Sequence, residues 1–264
     1  ATVPALARTV LAAADALGLG TFNVAGHDIG GGIAQHLAAT TGRIHRMVLM
    51  NAVMFDSWPV PAVERYRDPQ VRAATTVEDL LEARTTSTRG SVHRTLGDTE
   101  LADYLSPWHD PARVRSWTAM AAAADPEYTL ALIPALQEAA IPTRLVWGRD
   151  DDFQKLHYAR RYVTEIPSSD LVEVHGKHIP TEDSPLDVAH ATGGSISAVR
   201  ARKRAYQLGI SSRDRQRAGA VHQPPRDSAP ETPLTKIGRS QARGRHMMMH
   251  RQVRQVAPAG ACVH

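Results

Sequence analysis

The run Ala25-Gly26-His27-Asp28-Ile29-Gly30-Gly31-Gly32 surrounds one carboxylate with small residues. Set between a β-prone segment and a helix-like one, it permits a sharp, strained turn that lifts the Asp28 side chain above the carboxyl edge of a sheet, with a helix N-terminus behind it. That is the form of a nucleophile elbow, with Asp where esterases carry Ser. A plainer use of the same residues is helix capping by Asp28 and close packing by the glycines. Two later stretches bear on the choice. Trp147-Gly148-Arg149-Asp150-Asp151 ends a β-prone run with an acid three residues after glycine, and Asp152 follows directly. Any of these three acids can reach across a sheet edge or cap a helix. Val174-His175-Gly176-Lys177-His178-Ile179-Pro180-Thr181-Glu182-Asp183-Ser184-Pro185 then puts His175 and His178 after the last readable strand. Nucleophile, acid and histidine thus occur in that chain order, each just beyond a strand, which is the arrangement of acyl-transfer and related hydrolytic sites.

Such groups need a scaffold that brings distant loops to one edge. Val3, Leu6, Val10, Leu11, Ala14 and Leu17 follow helical spacing, and Gly18 and Gly20 break it. Thr21–Ala25 reads as a short buried strand, Gly26–Gly32 as a tight turn and Ile33–Ala39 as a helix. Arg46–Met50, Thr143–Trp147 and Leu171–Val174 are further short apolar runs, with helix-like segments such as Leu156–Ile166 between them. Strands alternating with helices imply an α/β fold with a parallel sheet and right-handed crossovers. From Ala52 to Ile141 the spacing is helical and no strand is readable, so this stretch is expected to be an inserted helical cap over one edge of the sheet. The resulting division is 1–54 and 142–190 for the core, 55–141 for the cap, and 191–264 for a tail.

Over about Val3–His190 the chain resembles the α/β-hydrolase superfamily, and within it the Asp-nucleophile branch that includes epoxide hydrolases and haloalkane dehalogenases. The G-H-D-x-G-G elbow, the W-G-x-x-D turn and the H-x-x-x-E-D-x-P loop carry the resemblance together. It implies Asp28 as nucleophile, Asp151 rather than Asp150 or Asp152 as the acid, and His178 rather than His175 as the base, with Glu182, Asp183 and Pro185 fixing the register. A carboxylate nucleophile attacks an sp³ carbon, leaves an alkyl ester on the enzyme, and relies on the histidine to activate water for its hydrolysis. The backbone N–H of Ile29 is expected to donate to the oxyanion. Neither a metal nor an organic cofactor is implied, and the expected partner is a small, mostly apolar substrate.

Ile29 departs from the family, where many members carry Trp beside the nucleophile, so its side chain has nothing to donate to a departing halide. Epoxide opening instead asks for cap hydroxyls, and Tyr66, Tyr104 and Tyr128 are the candidates. His27, Tyr104 and Trp108 are expected at the substrate pocket, and Trp58 and Trp117 either shape it or pack in the core. The family's early strands and oxyanion loop are not read in the sequence, and the start is expected to be truncated.

The chain has 264 residues and a formal charge of +4. Residues 191–264 hold 14 Lys and Arg against three Asp and Glu, so 1–190 are acidic, with 17 against 24. The basic tail lacks periodicity and has Tyr206 as its only aromatic, so it is expected to be disordered, with no specific nucleic acid partner. His246 and His250, spaced i and i+4, lack a third metal ligand nearby. No apolar run reaches the roughly 18 to 20 residues of a membrane span. With Cys262 as the single cysteine, the expectation is a cytoplasmic protein without a membrane partner. The rival reading is a catalytically impaired hydrolase remnant, or a basic-tailed binding protein on a hydrolase core.

Overall fold

The computed structural model describes residues 1–193; the expectations for the tail beyond them, including His246 and His250, lie outside the described residues. The chain opens with α1 (Val3–Ala16), whose first turn is capped by the Thr2 hydroxyl accepting from the Ala5 N–H and which buries Val3, Ala7 and Ala14. It continues through β1 (Phe22–Asp28), α2 (Ile29–Thr40) and β2 (Ile44–Ala52). The cap then runs through α3 (Pro61–Glu64), α4 (Pro69–Ala74), α5 (Val77–Gly90), α6 (Asp98–Leu105), α7 (Pro111–Ala122), α8 (Glu127–Leu130) and α9 (Ile133–Ala139). The core resumes with β3 (Thr143–Gly148), α10 (Leu156–Glu165), β4 (Ser169–Val174) and α11 (Pro180–Asp183). A last helix spans 185–193, three residues past the boundary expected at 190, and its Ala191 is buried against Val146, Val174 and Val188.

All four strands are parallel, in the order β1-β2-β3-β4. Each strand expected from the sequence is present and extends by one to three residues past its apolar run, because pairing continues through positions such as Asp28, Ile44, Gly148 and Ser169. Between β2 and β3 only helices occur. The core fills the space between the sheet and its helices with Leu37, Met47, Leu49, Phe55, Leu145, Trp147 and Tyr162, all essentially without solvent contact. Burial of such side chains is the dominant favourable contribution to folding, about 1.5–3 kcal/mol for each large one.

One local expectation is corrected. Gly26–Gly32 is not an irregular turn: β1 runs through Gly26 and His27 to Asp28, and α2 begins at Ile29. The whole reversal is absorbed by Asp28, at φ 49° and ψ −125°. Gly26 is what permits it, since a Cβ there would stand 2.3 Å from the Gly30 carbonyl oxygen. No helix among the described residues is long and apolar enough to cross a membrane.

Candidate active site

Asp28 occupies the N-cap position of α2, yet its side chain makes no capping hydrogen bond. The strained backbone aims the carboxylate away from the helix end, and a non-glycine residue in that region costs about 1–3 kcal/mol. The turn is held from behind, because the Val53 N–H donates to the Asp28 carbonyl at 2.9 Å. Ile29, the first residue of α2, places its backbone N–H at the positive end of the helix.

Asp151 and His178 come to this point from the ends of β3 and β4. Gly148 makes the approach possible: a Cβ there would meet the Lys177 carbonyl oxygen at 2.0 Å. The Asp151 carboxylate is buried and saturated with donors. One oxygen accepts from the Phe153 N–H at 2.7 Å, and the other from Asn51 Nδ2 at 2.7 Å and from His178 Nδ1 at 2.9 Å. That last bond assigns the imidazole proton to Nδ1 and leaves Nε2 with its lone pair, 3.9 Å from Asp28 Oδ1. The separation is too long for a hydrogen bond but lets one water lie within hydrogen-bond reach of both groups. Burial opposes charging of His178, but the Asp151 hydrogen bond and the charges of Asp28 and Asp151 outweigh it, and its pKa lies above the usual histidine value.

His27 is drawn in behind this group rather than into the pocket. Its Nε2 donates to the His178 carbonyl at 2.7 Å, and the rings lie 4.8 Å apart. Burial, followed by the nearby His178, pushes its pKa down, and its hydrogen bond fixes the backbone of His178. Asp150 and His175 stand outside, where His93 Nε2 donates to Asp150 and stacks on His175. His93, Asp150 and His175 are exposed and have ligand atoms within 4.8 Å of one another, which makes them the place among the described residues where a cation could be shared.

Sequence reasoning missed Asn51. Completely buried at φ 37°, it donates to Asp151 and accepts from the Gly148 N–H at 2.9 Å, so it locks the acid loop to the end of β2. The one signal for it was a single amide side chain directly after the apolar run Met47–Met50. Asp183 braces the neighbouring loop in a comparable way. Its carboxylate accepts from the Lys177 and His93 N–H groups, tying the histidine loop to the cap.

A cavity of about 300 Å³ lies between Asp28, His178 and the cap. Tyr66, Trp58 and Trp117 line it, whereas Trp108 and Tyr104 do not. Trp108 instead packs with Leu80 and Val114, and the Tyr104 hydroxyl donates to Glu182 at 2.9 Å. The correction has a packing cause: α6 and the Ser106–His109 turn face the histidine loop and the cap interior, while α5 and α7 present residues to the cavity.

The order in which these groups leave the sheet is that of the α/β hydrolases. The chain belongs to the alpha/beta hydrolase fold family, whose pattern it matches over residues 2–185. Among solved structures, an α/β hydrolase fold protein from Burkholderia ambifaria superposes with a TM-score of 0.63 at 22% identity, with 72% of each chain covered. A haloalkane dehalogenase from Bradyrhizobium elkani USDA94 gives 0.56 at 21% identity, with 74% of each covered. A thermophilic esterase from Thermogutta terrifontis gives 0.59 at 19% identity, covering 75% of this chain and 73% of its own. At these identities the likeness is one of fold. No curated protein matches the chain in sequence.

Proposed function

We propose that this protein is a hydrolase that works through a covalent ester on Asp28. The observation that carries the reading is a carboxylate, rather than a hydroxyl, on the strained turn between β1 and α2, uncapped and 3.9 Å from a histidine that Asp151 orients. Asp28 attacks an electrophilic sp³ carbon in line; a C–O bond forms while a carbon–halogen bond or an epoxide C–O bond breaks, and the electron pair leaves with the halide or alkoxide. His178 Nε2 then takes a proton from water as its oxygen adds to the Asp28 carboxyl carbon. The oxyanion is met by the Ile29 N–H, and its collapse expels the product alcohol, which recovers the proton from His178. Asp151 holds the imidazole in register and stabilises its charged form.

The cavity supports a small, largely apolar substrate, with Ile29, Val60, Val63 and Leu80 in its wall. Tyr66 is the member of the three cap tyrosines that reaches it, and Arg65 donates to its hydroxyl oxygen at 2.8 Å, leaving the phenolic proton for an alkoxide. Trp117 Nε1, buried without a partner among the described residues, offers the N–H that the Ile29 side chain lacks. Intact-mass spectrometry of His178→Gln with a short bromoalkane or a terminal epoxide tests the reading. An adduct on the peptide that contains Asp28 is expected. Wild-type turnover without that adduct, or no wild-type turnover of either substrate class, would overturn it.

A further inference from the structure

We propose that the cavity beside Asp28 takes substrates that carry a carboxylate, and that Arg84 is the residue that binds it. This names the substrate class for the site read above as a hydrolase and rests on that reading only for the identity of the reacting carbon.

Arg84 lies in the middle of α5, is 8% exposed and lines the cavity together with Asp28. Its guanidinium carbon sits 4.3 Å from the ring centroid of Trp108 and 4.4 Å from that of Trp117, and the two indoles stand nearly at right angles to one another, so they wall the group on two adjacent sides. Nη2 is buried with no hydrogen-bond partner among the described residues. No carboxylate among them lies within ion-pair distance. Arg144 shows the contrast: similarly shielded, it donates to both oxygens of Asp170 at 2.8 Å.

A cation kept out of water without an anion is costly, and an unbranched apolar side chain could pack against the two indoles without that cost. Burial pushes the Arg84 pKa down to about 10, which leaves it charged at neutral pH, and the charge of Asp28 acts in the opposite direction. Asp28 is therefore close enough to be felt but not close enough to pair. The missing anion has to come from a ligand lying between them. Trp117 Nε1 and Gln154 Oε1 are also buried and unpartnered on this cavity, so its occupant is expected to carry polar atoms. A planar fork packed against rings matches a planar carboxylate in two-point contact. It also offsets the repulsion that an anionic substrate meets on approaching Asp28. With about 300 Å³ to fill, the class is a short halo- or epoxy-carboxylic acid, carboxylate on Arg84 and electrophilic carbon at Asp28.

Calorimetric titration of the wild type, Arg84→Met and Arg84→Lys with butanoate, butanamide and bromide decides the matter. These probes do not react, so the result stands apart from whether an Asp28 ester forms. Butanoate is expected to bind the wild type more tightly than butanamide does, to bind Arg84→Met at least about tenfold more weakly, and to bind Arg84→Lys at an intermediate level. Butanamide is expected to bind all three within about threefold, with Arg84→Met melting at or above the wild-type temperature. Equal butanoate affinity in the wild type and Arg84→Met would overturn the proposal. So would an equal loss of both organic probes, or an Arg84-dependent affinity for bromide in place of butanoate, which would make this a leaving-group pocket.

Discussion

The sheet edge and the helical cap each place beside the cavity a residue whose local state is unfavourable, Asp28 and Arg84, and they differ in how it is supported. At the sheet edge Asp28 sits at positive φ, fixed by the Val53 hydrogen bond, the close approach at Gly26 and the continuous strand before it. Around it the polar groups are satisfied: Asp151 receives three hydrogen bonds, and His27 holds the His178 backbone. In the cap Arg84 carries a charge packed against Trp108 and Trp117, and its Nη2 makes no bond among the described residues. The first region is preorganised before substrate arrives, as transition-state stabilisation requires. The second is left incomplete, as a specificity element is when its complement belongs to the ligand.

The largest effect should come from the preorganised side. Asp28→Asn keeps the size of the side chain and removes the attacking oxygen's charge, and kcat should fall by about 10⁴-fold or more. Unchanged turnover would dissolve the distinction between the two regions, since the strain at position 28 would then serve no chemistry. Asn51→Ala comes next. It removes one donor from Asp151 and the acceptor of the Gly148 N–H. A ten- to hundredfold loss in kcat with little change in KM is expected, along with about 1–3 kcal/mol of stability. Steady-state kinetics beside a urea melt separates the two outcomes, and a loss of stability alone would make Asn51 a purely structural brace.

The same contrast governs what can be read from the sequence. Asp28, Asp151 and His178 lie in or beside short stretches whose glycines are dictated by close backbone approach, since a Cβ at Gly26 or Gly148 would stand 2.3 Å or 2.0 Å from a carbonyl oxygen, so local sequence carries the constraint. Strand existence is legible for the same reason: apolar runs bounded by glycine leave few alternatives. The stretch Gly26–Gly32 misleads because its clustered glycines suggest a loop, while the geometry needs only one residue out of line. Asn51 and Arg84 lack any local mark. Asn51 meets its partner 100 residues away. Arg84 sits in a polar helix, and only the packing of α5 against α7 decides that it turns inward. Tyr66 is separable from Tyr104 and Trp108 only once the cap helices are placed.

In the cap the expected change is smaller and of opposite sign. A guanidinium with its pKa lowered to about 10 in the fold, below its value in the unfolded chain, is charged in both states at neutral pH. The folded protein then bears a cost of up to roughly 3 kcal/mol, which is relieved only as pH rises above the folded value. Arg84→Met recovers part of this and loses the contacts with the two indoles, so unfolding stability should rise by about 1 kcal/mol and Tm by about 2–4 °C. A fall of several degrees would mean that the indole contacts outweigh desolvation, and the cap would then be as self-sufficient as the sheet edge.

The smallest effect tests whether charge at position 28 reaches the base. The charge of Asp28 is among the causes that raise the pKa of His178, after burial, which lowers it, and the Asp151 hydrogen bond, which raises it. Hydrolysis of the ester needs Nε2 unprotonated, so activity is lost as pH falls through a value above 6.5. In the proposed mechanism, formation of the ester neutralises Asp28 and withdraws that contribution, which places the acid limb of kcat below the value at which His178 titrates in the free enzyme. The linkage to stability has the opposite sense: a raised histidine pKa contributes stability in full below about 6.5, which is lost as pH rises through the folded value. In Asp28→Asn the imidazole should therefore titrate lower than in the wild type, as followed by the His178 ring resonance in NMR. His27 and Asp151, the other ionisable groups against it, are unchanged in that variant. An unshifted titration would mean that the 3.9 Å gap is already screened by water, and the coupling between nucleophile and base would have to run through the hydrogen-bonded solvent instead of the field of the carboxylate.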